Sequence, residues 1–194
     1  MLFKRSDVPA EAAKAGMSEW YGRLSEQDKV RASRYSSGAD ASSAAAFALS
    51  FMRKANDEAN YGISSNIGEC AIRTTDGMER FEILEELIAA DFGRSEYDLC
   101  LERCEEGLAM IPDLLGKLKA SNGGVIPERL RCRNTKINVL VGVRFDYDAG
   151  DAALEEFHRM GILSSEDLNF RKQSLRVYRL QRSFDGVFAV KLKE

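Results

Sequence analysis

Two stretches of this chain repeat one pattern 36 residues apart, and that spacing constrains the fold more than any other feature. Around Tyr61 and Tyr97 the surroundings line up. A polar stretch precedes each Tyr: Asn56-Asp57-Glu58-Ala59-Asn60 in one, Gly93-Arg94-Ser95-Glu96 in the other. A thin residue follows three positions later (Ser64, Cys100), another four after that (Gly68, Cys104), then Ala71 or Gly107. Self-similarity at a period of roughly 20–50 residues is the signature of stacked supersecondary units. Such arrays bind other chains far more often than they do chemistry.

Apolar spacing gives the chain a mostly helical reading. Apolar residues dominate 43–59, and Ile63, Ile67, Cys70 and Ala71 form one stripe over 61–73. Phe81, Leu84, Leu87 and Ile88 recur at 3–4 spacing over 78–92. Tyr97, Leu101, Cys104 and Leu108 do so over 95–111, where Ser95 is read as the N-cap and Pro112 as the stop. Further helices are expected over 113–120, 128–148, 152–160 and 165–184, with turns at Asp148–Asp151 and Asp185-Gly186. The fold class is all-α. The N-terminal arm is 1–16, helices over 17–42 pack on the array, the helical repeats span 43–184, and a tail occupies 185–194. In that tail, Val187 to Leu192 is β-branched and aromatic and reads as the one strand-like segment. It either caps the last helix or pairs with its copy in a homodimer.

The hairpins resemble tetratricopeptide repeats (TPRs). Phe81 to Pro112 carries the resemblance best. Leu84 and Leu87 take the two apolar positions of the first helix, Gly93 to Glu96 the turn, and Tyr97 the aromatic that opens the second. Cys100 and Gly107 stand where small residues are usual, Cys104 where an aromatic is usual, and Pro112 at the terminal Pro. Residues 45–76 fit more loosely, through Tyr61, Ser64, Gly68 and Ala71. Residues 135–161 form a degenerate third copy. There Gly142 and Phe145 match the first helix, and the second fits only if one residue is deleted from the turn. The resemblance implies a short right-handed solenoid of antiparallel hairpins and a binding face lined by first helices. That face takes Arg53, Asn56, Glu82, Glu85, Glu86, Ala89 and Lys136. Its glutamates disfavour a carboxylate ligand and suit a basic or apolar protein or peptide segment. Equally, they are the composition of an ordinary solvated helix.

Net charge is −3, unevenly spread. Residues 113–194 carry 15 basic and 11 acidic side chains, leaving 13 and 20 before them. Arg176, Arg179 and Arg182, at helical spacing near the basic end, are the alternative interface: they could track nucleic-acid phosphates. Catalytic signals are thin. His158 is the only histidine, no glycine-rich phosphate loop occurs, and no CxxC exists among Cys70, Cys100, Cys104 and Cys132. No catalytic residue, metal or cofactor is expected. The start has no apolar run after Lys4-Arg5, and no long apolar stretch follows, so the expectation is a cytoplasmic protein with reduced thiols and no membrane contact.

Overall fold

A computed structural model describes residues 8–191, with side chains through residue 182. The described residues form helices and no strand. The order is α1 (Ala10–Lys14), α2 (Ser18–Gly22), α3 (Glu26–Ser36), α4 (Ala44–Asp57), α5 (Tyr61–Ala71), a 3-10 turn (Ile72–Thr74), α6 (Gly77–Gly93) and α7 (Tyr97–Ala120). Then come α8 (Arg131–Ile137), a π-helix (Asn138–Val143), α9 (Tyr147–Arg159) and α10 (Ser165–Lys191). Ser25 and Ser43 cap α3 and α4, each accepting from the N–H three residues on (3.1 and 3.0 Å).

The 36-residue echo is a real structural echo. Helices α4–α5 and α6–α7 are antiparallel neighbours, and α6 packs on both α4 and α5. Their turns have one geometry. Ala59 and Ser95, each two residues before its Tyr, are left-handed at φ 57° and 62°. The next N–H reaches five residues back: Asn60 to the Ala55 carbonyl at 2.8 Å, Glu96 to the Asp91 carbonyl at 2.9 Å. This is the Schellman closure of a helix. Ser95 is therefore a turn residue, not the N-cap of α7. A third turn has the same mark. Phe145 stands at φ 56°, two residues before Tyr147. Here the N–H of Asp146 reaches six residues back, to the Leu140 carbonyl at 2.8 Å. The surplus residue is taken up by the π-helix, where the Arg144 N–H meets the Val139 carbonyl at 2.9 Å.

Small residues stand where helices approach closely. Ser64, Cys100 and Gly150 each follow their Tyr by three and are buried. A Cβ at Gly150 would come within 2.7 Å of Val141 Cγ2, and one at Gly68 within 2.6 Å of Leu87 Cδ2. Cys100 is fully buried, with its thiol 3.6 Å from the Ile88 carbonyl of α6.

Two apolar cores lie on opposite sides of α6. Ile83 and Leu87 enter the first, with Trp20, Tyr35, Phe47 and Phe51; the Trp20 and Phe51 rings meet edge-on at 5.4 Å. Phe81 and Ile88 enter the second, with Cys100, Cys104, Leu108, Leu154 and Phe157.

Four expectations are corrected. Pro112 does not stop a helix: α7 runs through it because Leu108, Ile111, Leu114 and Leu118 bury one continuous stripe, offsetting the roughly 3 kcal/mol cost of an interior proline. The segment 128–148 is not one helix, since it divides into α8, the π-helix and the Phe145 turn. Asp148–Asp151 is the first turn of α9, where acidic residues complement the helix dipole and Asp146 caps the Ala149 N–H at 2.9 Å. The strand-like tail is helical through Lys191, for adding turns to a formed helix costs far less than nucleating one, and β-propensity is a weak local preference. Leu192 to Glu194 lie outside the described residues.

Ala59→Gly should stabilise the protein by about 0.5–1 kcal/mol, since it removes the Cβ strain of a left-handed alanine. Thermal melting should shift upward by about 2 °C; an unchanged or lower midpoint would refute that turn geometry. Cys100→Arg should lose at least ~3 kcal/mol, from an unpaired charge and excess volume between α6 and α7. Melting within a degree of the parent would refute that packing.

Candidate functional site

Glu82, Glu85 and Glu86 of α6 are brought together with partners from two other helices, α4 and α8. Glu86 is buried. It accepts from Asn56 Nδ2 of α4 at 2.9 Å and pairs with Arg131 at 2.6 Å and Arg53 at 3.6 Å. Arg53 also pairs with Glu82 at 3.0 Å. Glu85 accepts the backbone N–H groups of Arg131 (2.5 Å) and Cys132 (2.7 Å), which open α8. Burial raises its pKa, and those N–H groups offset only part of the rise. Ala89 is half-buried on the same helix. Lys136 belongs to another group, buried between Glu105 at 2.8 Å and Glu156 at 3.2 Å. Burial alone would lower its pKa, but those two carboxylates reverse the sign and hold it above the usual lysine range. Arg53, Asn56, Glu82, Glu85 and Glu86 thus tie α4, α6 and α8 to one another. Arg131, the cation at the centre of this network, had no signal in the repeat frame.

The basic residues of α10 are also answered locally. Arg179 forms a two-pronged contact with Asp148 (2.9 and 3.3 Å). Arg182 lies 3.2 Å above the Phe145 ring, and Arg176 is exposed. Lys172 pairs with Asp151 at 3.2 Å and with Glu155.

A cleft of about 680 Å³ lies elsewhere, between the π-helix, α9 and α10. Its walls are Ile137, Val141, Val143, Tyr147, Leu154, Leu175 and Tyr178, and Phe92 from the end of α6 reaches its rim. Phe92 is itself held edge-on by Tyr97 at 5.8 Å. Among the described residues, the formal charges on the cleft walls are Arg171 and Arg182, and no His, Cys, Asp or Glu lines it. The π-helix forms one wall of this cleft, and Phe145, left-handed and exposed like Ala59 and Ser95, stands beside it. The sequence signal was Phe145-Asp146-Tyr147, a third copy of the residue pair that precedes each hairpin's second helix.

One buried carboxylate stands apart from both places. Asp91 is fully buried in the last turn of α6, with Arg103 Nε at 2.9 Å. Neither carboxylate oxygen accepts a complete hydrogen bond, and Arg103 is shared with Glu69. Burial pushes the Asp91 carboxyl up to about 6, with Arg103 offsetting only part of that rise. Among the described residues, no group of His, Cys, Asp and Glu could hold a metal ion, and no helix is long and apolar enough to cross a membrane. Comparison with protein-family models, curated proteins and solved structures returns no match.

The raised pKa of Asp91 fixes a sign. The folded state holds this proton more tightly than the unfolded chain, so the contribution of Asp91 to stability falls as pH rises from 3.8 to about 6. Relative to Asp91→Asn, the parent should lose on the order of 2–3 kcal/mol across that window. Urea denaturation of both proteins at several pH values checks this. Parallel profiles, or a parent that gains on the variant as pH rises, would show that the Arg103 ion pair outweighs burial.

Proposed function

We propose that this chain is a non-enzymatic protein- or peptide-interaction module, built as a short TPR-like stack of hairpins wound as a right-handed solenoid. The observation that carries the reading is the cleft: an apolar space edged by exposed aromatics, whose charges among the described residues are two arginines. Its ligand is a segment that inserts bulky apolar side chains and sets a carboxylate near Arg171 and Arg182. Among the described residues, the cleft walls carry no His, Asp, Glu or Lys to serve as a general base, which supports binding over chemistry. The face first assigned from the repeat frame is a weaker candidate, because Glu85 and Glu86 already serve Arg131 and α8. Four free thiols support a reducing compartment such as the cytoplasm. The nucleic-acid alternative through Arg176, Arg179 and Arg182 draws no support, since Asp148 and Asp151 sit among those cations.

A displayed random-peptide library selected on the full chain tests this. Enriched sequences should combine large apolar residues with Asp or Glu. Their affinity should fall at least about tenfold in Tyr178→Ala and again in Arg182→Glu, with folding unchanged. Peptides that bind both variants as well as the parent would place recognition elsewhere.

A further inference from the structure

The outward side of α10 has a regularity of its own. Leu168 and Leu175 are buried against the body, and Lys172 and Arg179 reach acids of α9. The opposite side carries Phe170, Gln173, Val177 and Leu180 at 3–4–3 spacing. All four are exposed, with Phe170 at 69%, Val177 at 51% and Leu180 at 58%. The sequence continues the same spacing at Phe184 and Val187. Alternating steps of three and four are the pattern of a helix seam that meets a like helix, whereas a 3.6-residue stripe would drift off it. A second side of one helix is thus patterned for packing after the first is already packed.

We propose that this seam pairs with its own copy, α10 against α10 in parallel, making the chain a homodimer. Charge argues for a copy over an unlike partner. The cations of α10 turn mostly toward the body, so the seam offers an ionic partner little to recognise. Its flanking positions are Asn169, Ser174, Arg176 and Gln181. In a parallel pair Asn169 lies beside Ser174 of the second copy, and Arg176 beside Gln181, so no like charges meet. Gln173 meets Gln173 of the second copy and can exchange amide hydrogen bonds, which fixes the register. An antiparallel pair would set Gln173 against an apolar position and leave its amide unpaired. Val177 and Leu180 occupy the β-branched and leucine positions that favour two strands. The cleft borders the seam through Ser174 and Gln181, but Phe170, Gln173, Val177 and Leu180 are not among its walls, so the pairing does not rest on the proposed ligand.

Light scattering on the full chain at high micromolar concentration tests the pairing. The parent should have twice the chain mass of 21.6 kDa, and Val177→Glu/Leu180→Glu should have the single mass with its helical circular dichroism retained. A parent of single mass, or a double variant that keeps the double mass, overturns the proposal. Should the double variant fail to fold, Gln173→Cys in a Cys70→Ser background decides the matter. On mild oxidation it should form a covalent dimer, because a parallel register brings the two positions 173 together. A chain that stays uncrosslinked overturns it.

Discussion

Helix α6 is enclosed on several sides, and its carboxylates determine how the other helices sit. Glu86 takes Asn56 and Arg53 from α4 and Arg131 from α8, while Glu85 takes the two N–H groups that open α8. Farther along, Asp91 takes Arg103 of α7. Each contact answers a specific cost. The first N–H groups of α8 have no partner within their own helix, and a buried carboxylate is unfavourable unless it is paired. Joining the two needs solves both at once. It also ties together the two apolar cores, for Ile83 and Leu87 enter one while Phe81 and Ile88 enter the other. Ordinary helix packing would leave these cores free to slide along α6; fixed hydrogen bonds at Glu85 and Glu86 set the register.

The second constraint is the turn. Three times the chain closes a helix with a left-handed residue two positions before a tyrosine, and three times a thin residue follows that tyrosine by three. Two of the turns are identical in their hydrogen bonding, and the third differs by a single residue, absorbed as π-helix. The cleft lies beside that third turn, between the π-helix and α10, with Phe145 on its wall. It thus borders the one turn that departs from the repeat, which is where a functional cost is expected to appear in an otherwise consistent sequence.

What the sequence made legible follows from what each signal encodes. Periodicity located α4, α5, α6 and the first half of α7, because their buried apolar residues recur at three- and four-residue steps. It failed at Pro112, where local chemistry says stop and the burial of Ile111 and Leu114 says continue. At 128–148 it could not separate α8, the π-helix and a turn, since all three keep similar apolar spacing and only hydrogen bonding tells them apart. The tail was misread for a related reason: Val187 to Val190 favours a strand in isolation, but here the residues extend a formed helix. At the face read from the repeat frame, the sequence named residues without their partners. Glu82, Glu85 and Glu86 read as a face for a ligand, yet Arg53 and Arg131, distant in sequence, pair with Glu82 and Glu86.

Charge shows the same logic at the level of the whole chain. The acidic first part and the basic end meet within the molecule. Arg131 reaches back to Glu86, Arg144 to Asp98, and Lys136 to Glu105. Within the last two helices Lys172 and Arg179 answer Asp151, Glu155 and Asp148. Complementary charge between segments far apart in sequence is attractive only in the folded arrangement, so it selects one docking of the C-terminal helices against the hairpins. It also strips charge from the surfaces that remain. Among the described residues the cleft keeps Arg171 and Arg182, and the outward seam of α10 is flanked by one cation, Arg176. Both surfaces are therefore poor in charge while the neighbouring cations Lys172 and Arg179 pair with acids of α9.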